Sequence, residues 1–442
     1  MSSFKLCCYD AGRMERTLIL DCNNKIGEKV KICGWVQVRR DHGKILFLDV
    51  LDRSGLIQVV IPIGVKLIHP PGVQDVVCIE GKVDKRPPNL VNKNIPTGEI
   101  EISAEHIEVL SKAAELPFDM GGKELDLQLP TLLDFRSLTL RHPKIKEIFK
   151  AQAAILEGFR KAASDLGCTE IVVPTIVAGA TEGGAEVFKI DYFDHKAYLS
   201  QSPQLYKQML VPVYERVFTI AKAYRAEPSV TTRHLAEATQ LDIEIGFVEF
   251  EDLLDFLEEV AVKMLKFAED FGVEQIAFGK IPRLTLRKAQ DLILKEFGRD
   301  NRKEKDLTPQ DEVDLCKWAL EKHKSDFVTV THFPTSAKPF YTMPDPAEPE
   351  YSLSYDLLFR GVEILSGSQR INDYEQLVKS IESRGMDPKN FEMYLQAFKY
   401  GMPPEGGFSF GLERVTMHVL GLANVREASL FPRDMERVDV RL

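Results

Sequence analysis

The chain has 442 residues, 44% of them hydrophobic and 28% charged, with a formal net charge of −10. Such a length holds two or three domains with separate cores, and the composition is that of a soluble globular protein rather than a disordered or fibrous one. No apolar run reaches the length of a membrane span, and the opening MSSFKLCCYDAGRMER has no apolar signal core, so a cytoplasmic location is expected. The negative balance excludes bulk electrostatic capture of nucleic acid but leaves room for a local basic face. Cys7, Cys8, Cys22, Cys33, Cys78, Cys168 and Cys316 form no C-x-x-C pair and no Cys/His ligand spacing, so reduced thiols and no zinc site are expected.

From Glu28 to about Leu110 the pattern is short alternating strands parted by DHG, DRSG, RPPN and PTG turns. It predicts a five-stranded barrel of the OB type. Arg39, Arg40, Phe47 and Gln58 fall on neighbouring strands, and an aromatic among arginines there is a stacking platform for single-stranded bases. Trp35 is expected in the core and Phe47 on the platform. Residues 111–143, with three prolines and Gly121-Gly122, read as a hinge whose Arg136 and Arg141 are candidate RNA-backbone contacts.

The third segment, residues 144–442, opens on a helix running from Lys144 to a fitting C-terminal Gly167. TEIVVPTIV is a strand confined to an edge or interface by Pro174. The Gly-rich loop Ala178–Glu186 lacks the GK[ST] of a P-loop and reads as a lid with one acid, Glu182. AYLSQSPQLYKQMLV is a strand leading into a helix, with Gln204 and Lys207 on one helical face. An isolated lysine in such a place is ordinarily exposed.

Residues 218–246, FTIAKAYRAEPSVTTRHLAEATQLDIEIG, alternate on both sides of a Pro-containing loop and predict an antiparallel pair. A strand-borne Arg225 with Glu227, facing a loop carrying Arg233 and His234, suits the grip of a triphosphate, because guanidinium forks match phosphate oxygens. Two amphipathic helices and a charged helical stretch, NRKEKDLTPQDEVDLCKWALEKHKSD, come next, the last expected as a solvated face. YSLSYDLLFRGVEILSGSQR is a hairpin turning at Arg360-Gly361, which brings Asp356 and Glu363 to adjacent strands as a candidate Mg²⁺ site. GGFSFGLERV is a strand entering a helix with Arg414 at the junction.

With these stretches in order, the chain resembles the class II aminoacyl-tRNA synthetases, and among them the compact archaeal/eukaryotic aspartyl-tRNA synthetase family of the aspartyl/asparaginyl/lysyl subgroup. GCTEIVVPTI resembles the first signature, AYRAE…TRHLAEATQLDIE the second and GFSFGLERV the third, with QSPQLYKQ, TEGGAE, GVEILSGSQR and KPFY between them. The resemblance spans about Glu28 to the C-terminus. It implies an α+β architecture: an N-terminal five-stranded OB-fold β-barrel (residues 1–110) that reads the anticodon, then a class II catalytic domain with an antiparallel sheet flanked by helices.

It further implies that Arg225 holds the α-phosphate of ATP and that Arg414 clamps the adenine or γ-phosphate. Glu227, Arg233 and His234 would complete the nucleotide site, and Asp356, Glu363 and Ser366 would bind Mg²⁺. Gln204 and Glu182 would hold the substrate ammonium, while Lys207 and Arg370 pair with the side-chain carboxylate of aspartate. Arg40, Phe47 and Gln58 would contact the anticodon of tRNA(Asp). Gln37 and Pro96 stand where the third anticodon base is read; Pro96 resembles the permissive form and Gln37 matches neither pattern, which leaves tRNA(Asn) open as a second acceptor. A homodimer is implied, with the first signature at its interface. An asparaginyl-tRNA synthetase and a tRNA-binding paralogue without ligase activity are the alternatives. Three departures stand out: Ala238 replaces an adenine-stacking aromatic, Glu405 replaces a usual His, and the connector lacks a run of arginines.

Overall fold

The computed structural model describes residues 14–43, 45–122, 124–179, 186–228, 231–269 and 273–441. It has two compact units, Met1–Asp126 and Leu127–Leu442.

The first unit is a closed barrel of β1 (Lys29–Asp41), β2 (Leu46–Leu51), β3 (Leu56–Ile61), β4 (Val76–Lys85) and β5 (Ile100–Ser111), in the order β1-β2-β3-β5-β4. Only the β3/β5 pair is parallel; the others are antiparallel. Alternation along β1 sends Val30, Ile32 and Val36 inward. Trp35 has the opposite parity and is 42% exposed, so the expectation of a core tryptophan is corrected. A bulge between Val36 and Val38 then breaks the repeat and turns Gln37 into the interior. Cys33 and Cys78 lie opposite one another on β1 and β4 and are joined as a disulfide, where reduced thiols were expected. Sequence spacing could not reveal this pairing, because it depends on the register of strands 45 residues apart.

The second unit opens on α1 (Leu129–Asp134), α2 (Arg136–Thr139) and α3 (Pro143–Asp165). Residues read as hinge therefore belong in part to this unit. Arg136 is buried and donates to the carbonyls of Glu427 (3.0 Å), Ser429 (2.6 Å) and Leu430 (2.9 Å), a staple to the C-terminal segment rather than an RNA contact. The stretch around Pro174 is two short strands, β6 (Thr169–Glu170) and β7 (Ile176–Val177). β7 joins β8 (Lys189–Tyr192) and β9 (His195–Leu199) in a small sheet.

Among the described residues the main sheet has eight strands. They are β6, β10 (Arg216–Tyr224), β11 (Glu237–Gly246), β12 (Arg283–Thr285), β13 (Phe327–Thr331), β14 (Ser354–Phe359), β15 (Val362–Gln369) and β16 (Glu405–Gly411), ordered β12-β13-β14-β15-β16-β11-β10-β6. The sheet is antiparallel except at its two outermost pairs. The predicted hairpin turn is present, with Arg360 and Gly361 at φ of 46° and 90°.

Between β9 and β10 lie α4 (Gln204–Met209) and α5 (Val211–Tyr214), and α6 (Phe250–Glu269) follows β11. α3 and α6 cover one face of the sheet, packing Phe159, Leu253, Leu257 and Val260 against Leu241, Ile243, Phe408 and Phe410. Each such side chain contributes about 1.5–3 kcal/mol of burial. The two helices approach so closely at Gly158 that a Cβ there would stand 2.6 Å from the Met264 carbonyl oxygen. α7 (Leu286–Phe297) and α8 (Pro309–His323) close one end, and α9 (Tyr374–Ser383), α10 (Glu392–Lys399) and α11 (Leu412–Val419) complete the unit. α8 is not only a solvated face: its Thr308–Asp311 capping box buries Asp311, which accepts from Arg299 and Asn301.

Candidate active site

The face of the sheet opposite α3 and α6 is polar, and strand register arranges it in rows. Asp356 on β14 lies opposite Ser366 on β15, Ser366 opposite Ser409 on β16, and Ser409 opposite Asp242 on β11. In the next row Ser368 faces Gly407, and Gly407 faces Glu244. Since residues two apart share a face, Ala238, Gln240, Asp242 and Glu244 run along β11 as one floor. Gly407 carries no side chain because a Cβ there would collide with the Ile243 carbonyl and the Glu244 carboxylate.

Over the Asp242–Glu244 end sits a buried ionic cluster. Lys207, expected to be exposed if it were an ordinary helix lysine, is 1% exposed. Its ammonium lies 2.9 Å from Asp242 and 3.1 Å from Glu244. The Arg370 guanidinium binds the Glu244 carboxylate at 2.7 and 3.3 Å, and reaches the Gln204 side-chain oxygen at 3.3 Å. Burial alone would raise the Glu244 pKa, but Arg370 and Lys207 outweigh it and hold the carboxyl below its ordinary value. α4 presents Gln204 and Lys207 to this cluster; just before it, the Ser202 hydroxyl accepts from the Gln204 N–H at 3.1 Å. Gln204, Lys207 and Arg370 are thus brought together, whereas Glu182 lies outside the described residues.

At the Ala238 end a cavity of about 240 Å³ is lined by Arg225, Arg233, His234, Ala238, Glu363, Ser366 and Arg414, among others. β10 ends at Tyr224, but the Arg225 N–H still pairs with the Ala236 carbonyl at 2.9 Å, which fixes its backbone at the cavity rim. Arg233 is tied to Glu312 of α8 at 3.2 Å, and Arg414, in the first turn of α11, to Glu363 at 3.5 Å. Lys338 stands 3.2 Å from Asp356. Desolvation, with the Asp356 carboxylate beside it, pushes Glu363 up to about 7. Glu227 sits in the loop after β10 and is not among the residues lining the cavity. Ser409 joins the two regions: it lines the cavity and donates to Asp242 at 3.0 Å.

In the barrel unit Arg40 makes a paired contact with Asp49 (2.8 and 2.7 Å) and reaches Gln58 at 3.2 Å; Gln58 in turn donates to Glu101 at 2.8 Å. Phe47 is half-buried beside His42, ring centroids 5.5 Å apart. Arg40, Phe47 and Gln58 thus share one barrel face. Gln37 does not join them, being buried with its oxygen bound to Gln74 at 3.3 Å. Pro96 is exposed in the loop before β5.

Sequence reading assigned no role to Asp242, Glu244, Glu312 or Lys338. A signal for the first two was present: two acids at strand spacing on an otherwise apolar segment. Glu312 and Lys338 come from distant elements and carried none. Among the described residues no group of three His, Cys, Asp or Glu could hold a metal by itself, and no helix is long and apolar enough to cross a membrane.

An OB barrel joined in sequence to an antiparallel sheet that carries paired cations and an arginine-lined cavity defines a class of nucleic-acid-charging enzyme. Residues 128–435 match the tRNA synthetases class II (D, K and N), and residues 30–110 match the OB-fold nucleic acid binding domain. The chain belongs to the class II tRNA synthetases of the D, K and N group. It is 42% identical to the aspartate–tRNA(Asp/Asn) ligase of Thermus thermophilus over 434 residues, 96% of this chain and 99% of that one. It is 38% identical to the aspartate–tRNA(Asp) ligase of Pyrococcus horikoshii, over 93% of this chain and 96% of the relative. Its structure is similar to that of the asparaginyl-tRNA synthetase from Pyrococcus horikoshii complexed with asparaginyl-adenylate (TM-score 0.83, 31% identity, 94% and 97% of the two chains). It is also similar to a putative aspartyl-tRNA synthetase from Leishmania major Friedlin (TM-score 0.86, 27% identity, 99% and 97%). The backbone is common to aspartyl and asparaginyl enzymes, so the choice of amino acid has to come from side chains.

Proposed function

We propose that this protein is an aspartate–tRNA ligase: it activates L-aspartate with ATP to aspartyl-adenylate, then transfers the aspartyl group to the 3′ end of tRNA(Asp). The observation that carries the amino-acid choice is the pair of buried cations, Lys207 and Arg370, beside Gln204. A carboxylate offers two acceptor oxygens to these charged donors, whereas a carboxamide offers one and turns a competing NH₂ donor toward them.

Arg225 and Arg414 grip the ATP phosphates from the cavity rim, with Arg233 and His234 closing over the nucleotide and Glu227 supporting the loop. The substrate α-carboxylate attacks the α-phosphorus, pyrophosphate leaves, and a 3′-terminal ribose hydroxyl then attacks the activated carbonyl and releases AMP. Little proton chemistry is asked of side chains; orientation and charge neutralisation carry the rate. Asp356, Glu363 and Ser366 fit Mg²⁺. Two acids on adjacent strands, each paired with a cation here (Lys338 and Arg414), would serve as the carboxylate donors, since Mg²⁺ takes few of them. When bound, Mg²⁺ supplies charge neutralisation at the phosphates.

Arg40, Phe47 and Gln58 form the anticodon face. Charging of tRNA(Asn) as well is a second reading, favoured by Pro96 and by relatives named for both acceptors. A homodimer is supported by exposed apolar side chains, Val172 just after β6 and Phe247 just after β11, which are 97% and 75% exposed.

The test is pyrophosphate exchange run separately with aspartate and asparagine. Exchange with aspartate alone, reduced about a hundredfold or more in Lys207→Met (roughly 2–5 kcal/mol for losing one partner of a buried charge pair in binding), is the expected result. Exchange driven by asparagine would transfer the protein to the sister activity. Charging assays on tRNA(Asn) transcripts decide the second reading.

A further inference from the structure

Glu405, the acid that stands in place of a usual histidine, is fully excluded from solvent at the start of β16. Its backbone carbonyl accepts the Arg370 N–H at 2.9 Å, and it lies opposite Gly246 of β11. One side-chain oxygen accepts from the Gln208 amide at 2.7 Å. The Tyr394 hydroxyl donates to the Gln208 oxygen at 3.0 Å, which fixes the amide with its NH₂ toward Glu405. The other Glu405 oxygen is buried with no hydrogen-bond partner, and the Glu405 and Glu244 carboxyls face one another within hydrogen-bonding reach. Two carboxyl oxygens in contact in a dry interior need a proton between them.

We infer that Glu405 and Glu244 share a single proton carried by Glu405, and that this makes Glu405 a positioning residue that sets the pocket's preference for an acidic side chain. The inference rests on the assignment of Lys207 and Arg370 to the aspartate pocket. The proton belongs to Glu405 because Glu244 already receives Arg370, Lys207 and Gln204, whereas Glu405 receives one neutral amide. Burial and the facing Glu244 both raise the Glu405 carboxyl well above its ordinary range, with Arg370 and Gln208 opposing them in part.

The charge count then closes. Lys207 and Arg370 balance Asp242 and Glu244; Glu405, Gln208 and Tyr394 add nothing, and burial keeps the Tyr394 phenol protonated. A substrate carboxylate thus enters a neutral site with two cations at hand. Were Glu405 ionised, Arg370 would serve two glutamates and the entering carboxylate would meet a net negative pocket. Asparagine would be indifferent to that change.

The test uses the full chain and Glu405→Gln, an isosteric amide that can donate to Glu244 but cannot ionise. Infrared difference spectra of wild type should contain the carbonyl stretch of a protonated buried carboxyl, absent from Glu405→Gln. In pyrophosphate exchange, the wild-type KM for aspartate should climb by about tenfold per pH unit once Glu405 ionises, with kcat unchanged. In Glu405→Gln that KM should stay level. A wild-type spectrum without the band, or a KM profile that Glu405→Gln leaves unaltered, overturns the inference. If Lys207→Met has lost aspartate exchange, that failure is the inference's alone. Retained aspartate exchange in Lys207→Met overturns the pocket assignment and the specificity role together.

Discussion

The arginine-lined cavity is as much a matter of electrostatic balance among residues as of shape. His418 on α11 is half-buried with an unpartnered Nε2, and burial together with Arg233 and Arg414 lowers its pKa to about 4. The unfolded chain takes up this proton near the ordinary histidine value of 6.5, so the folded state holds fewer protons between the two. Stability from His418 is therefore present above about 6.5 and lost as pH falls toward about 4. Melting temperatures of wild type should drop across that window more steeply than those of His418→Gln; equal slopes would refute it. Asp52 in the barrel acts in the same sense at lower pH. Burial opposes its ionisation, yet bonds from Ser54, Gly55 and Ile19 hold it below its ordinary value. Its contribution is present above the unfolded pKa near 3.8 and disappears as acid protonates it, so Asp52→Asn should narrow the acid-dependent loss of barrel stability. At this scale the arginines, Lys207 and the paired acids were legible in the sequence, because charge at strand or helix spacing has few structural reasons to exist. Glu312 was not: only the packing of α8 carries it to Arg233.

At the scale of elements, β16 and α2 are the informative cases. β16 carries Gly407 on its polar face because its neighbour β11 projects Glu244 over that position. Gly407→Ala should cost about 1–3 kcal/mol of overpacking and, by displacing Glu244, raise the KM for aspartate more than that for ATP; an unchanged KM for aspartate would contradict the arrangement. α2 was read as part of a flexible connector from its prolines and weak periodicity. Its Arg136 instead satisfies three carbonyls of a segment some 290 residues away in sequence. Arg136→Met should lower the unfolding free energy by on the order of 3 kcal/mol, measured by denaturant titration, since buried carbonyls lose charged donors. Local pattern could not report this, because the partner segment shares no periodicity with α2.

The whole molecule divides into two units with separate cores, the barrel's being built from its own strands and the Ile19–Cys22 turn. A fragment of residues 14–126 should therefore fold alone, giving a cooperative thermal transition and a strand-type spectrum; non-cooperative melting would show that it depends on the rest of the chain. The exposed apolar side chains of the second unit give the other prediction at this scale. Light scattering should find twice the chain mass, and Val172→Asp with Phe247→Asp should halve it; a wild-type monomer would remove the proposed homodimer.

The sequence by itself determined the two architectures, the order of the three signatures and most of the candidate site. Those features rest on period-two and helical spacing and on charges that local structure does not require. Tertiary structure alone decided four other things: the outward Trp35, the inward Gln37, the Cys33–Cys78 pairing, and the contact between Glu405 and Glu244. Each depends on strand register or a bulge, where a shift of one residue reverses every side chain and no local pattern records which register wins.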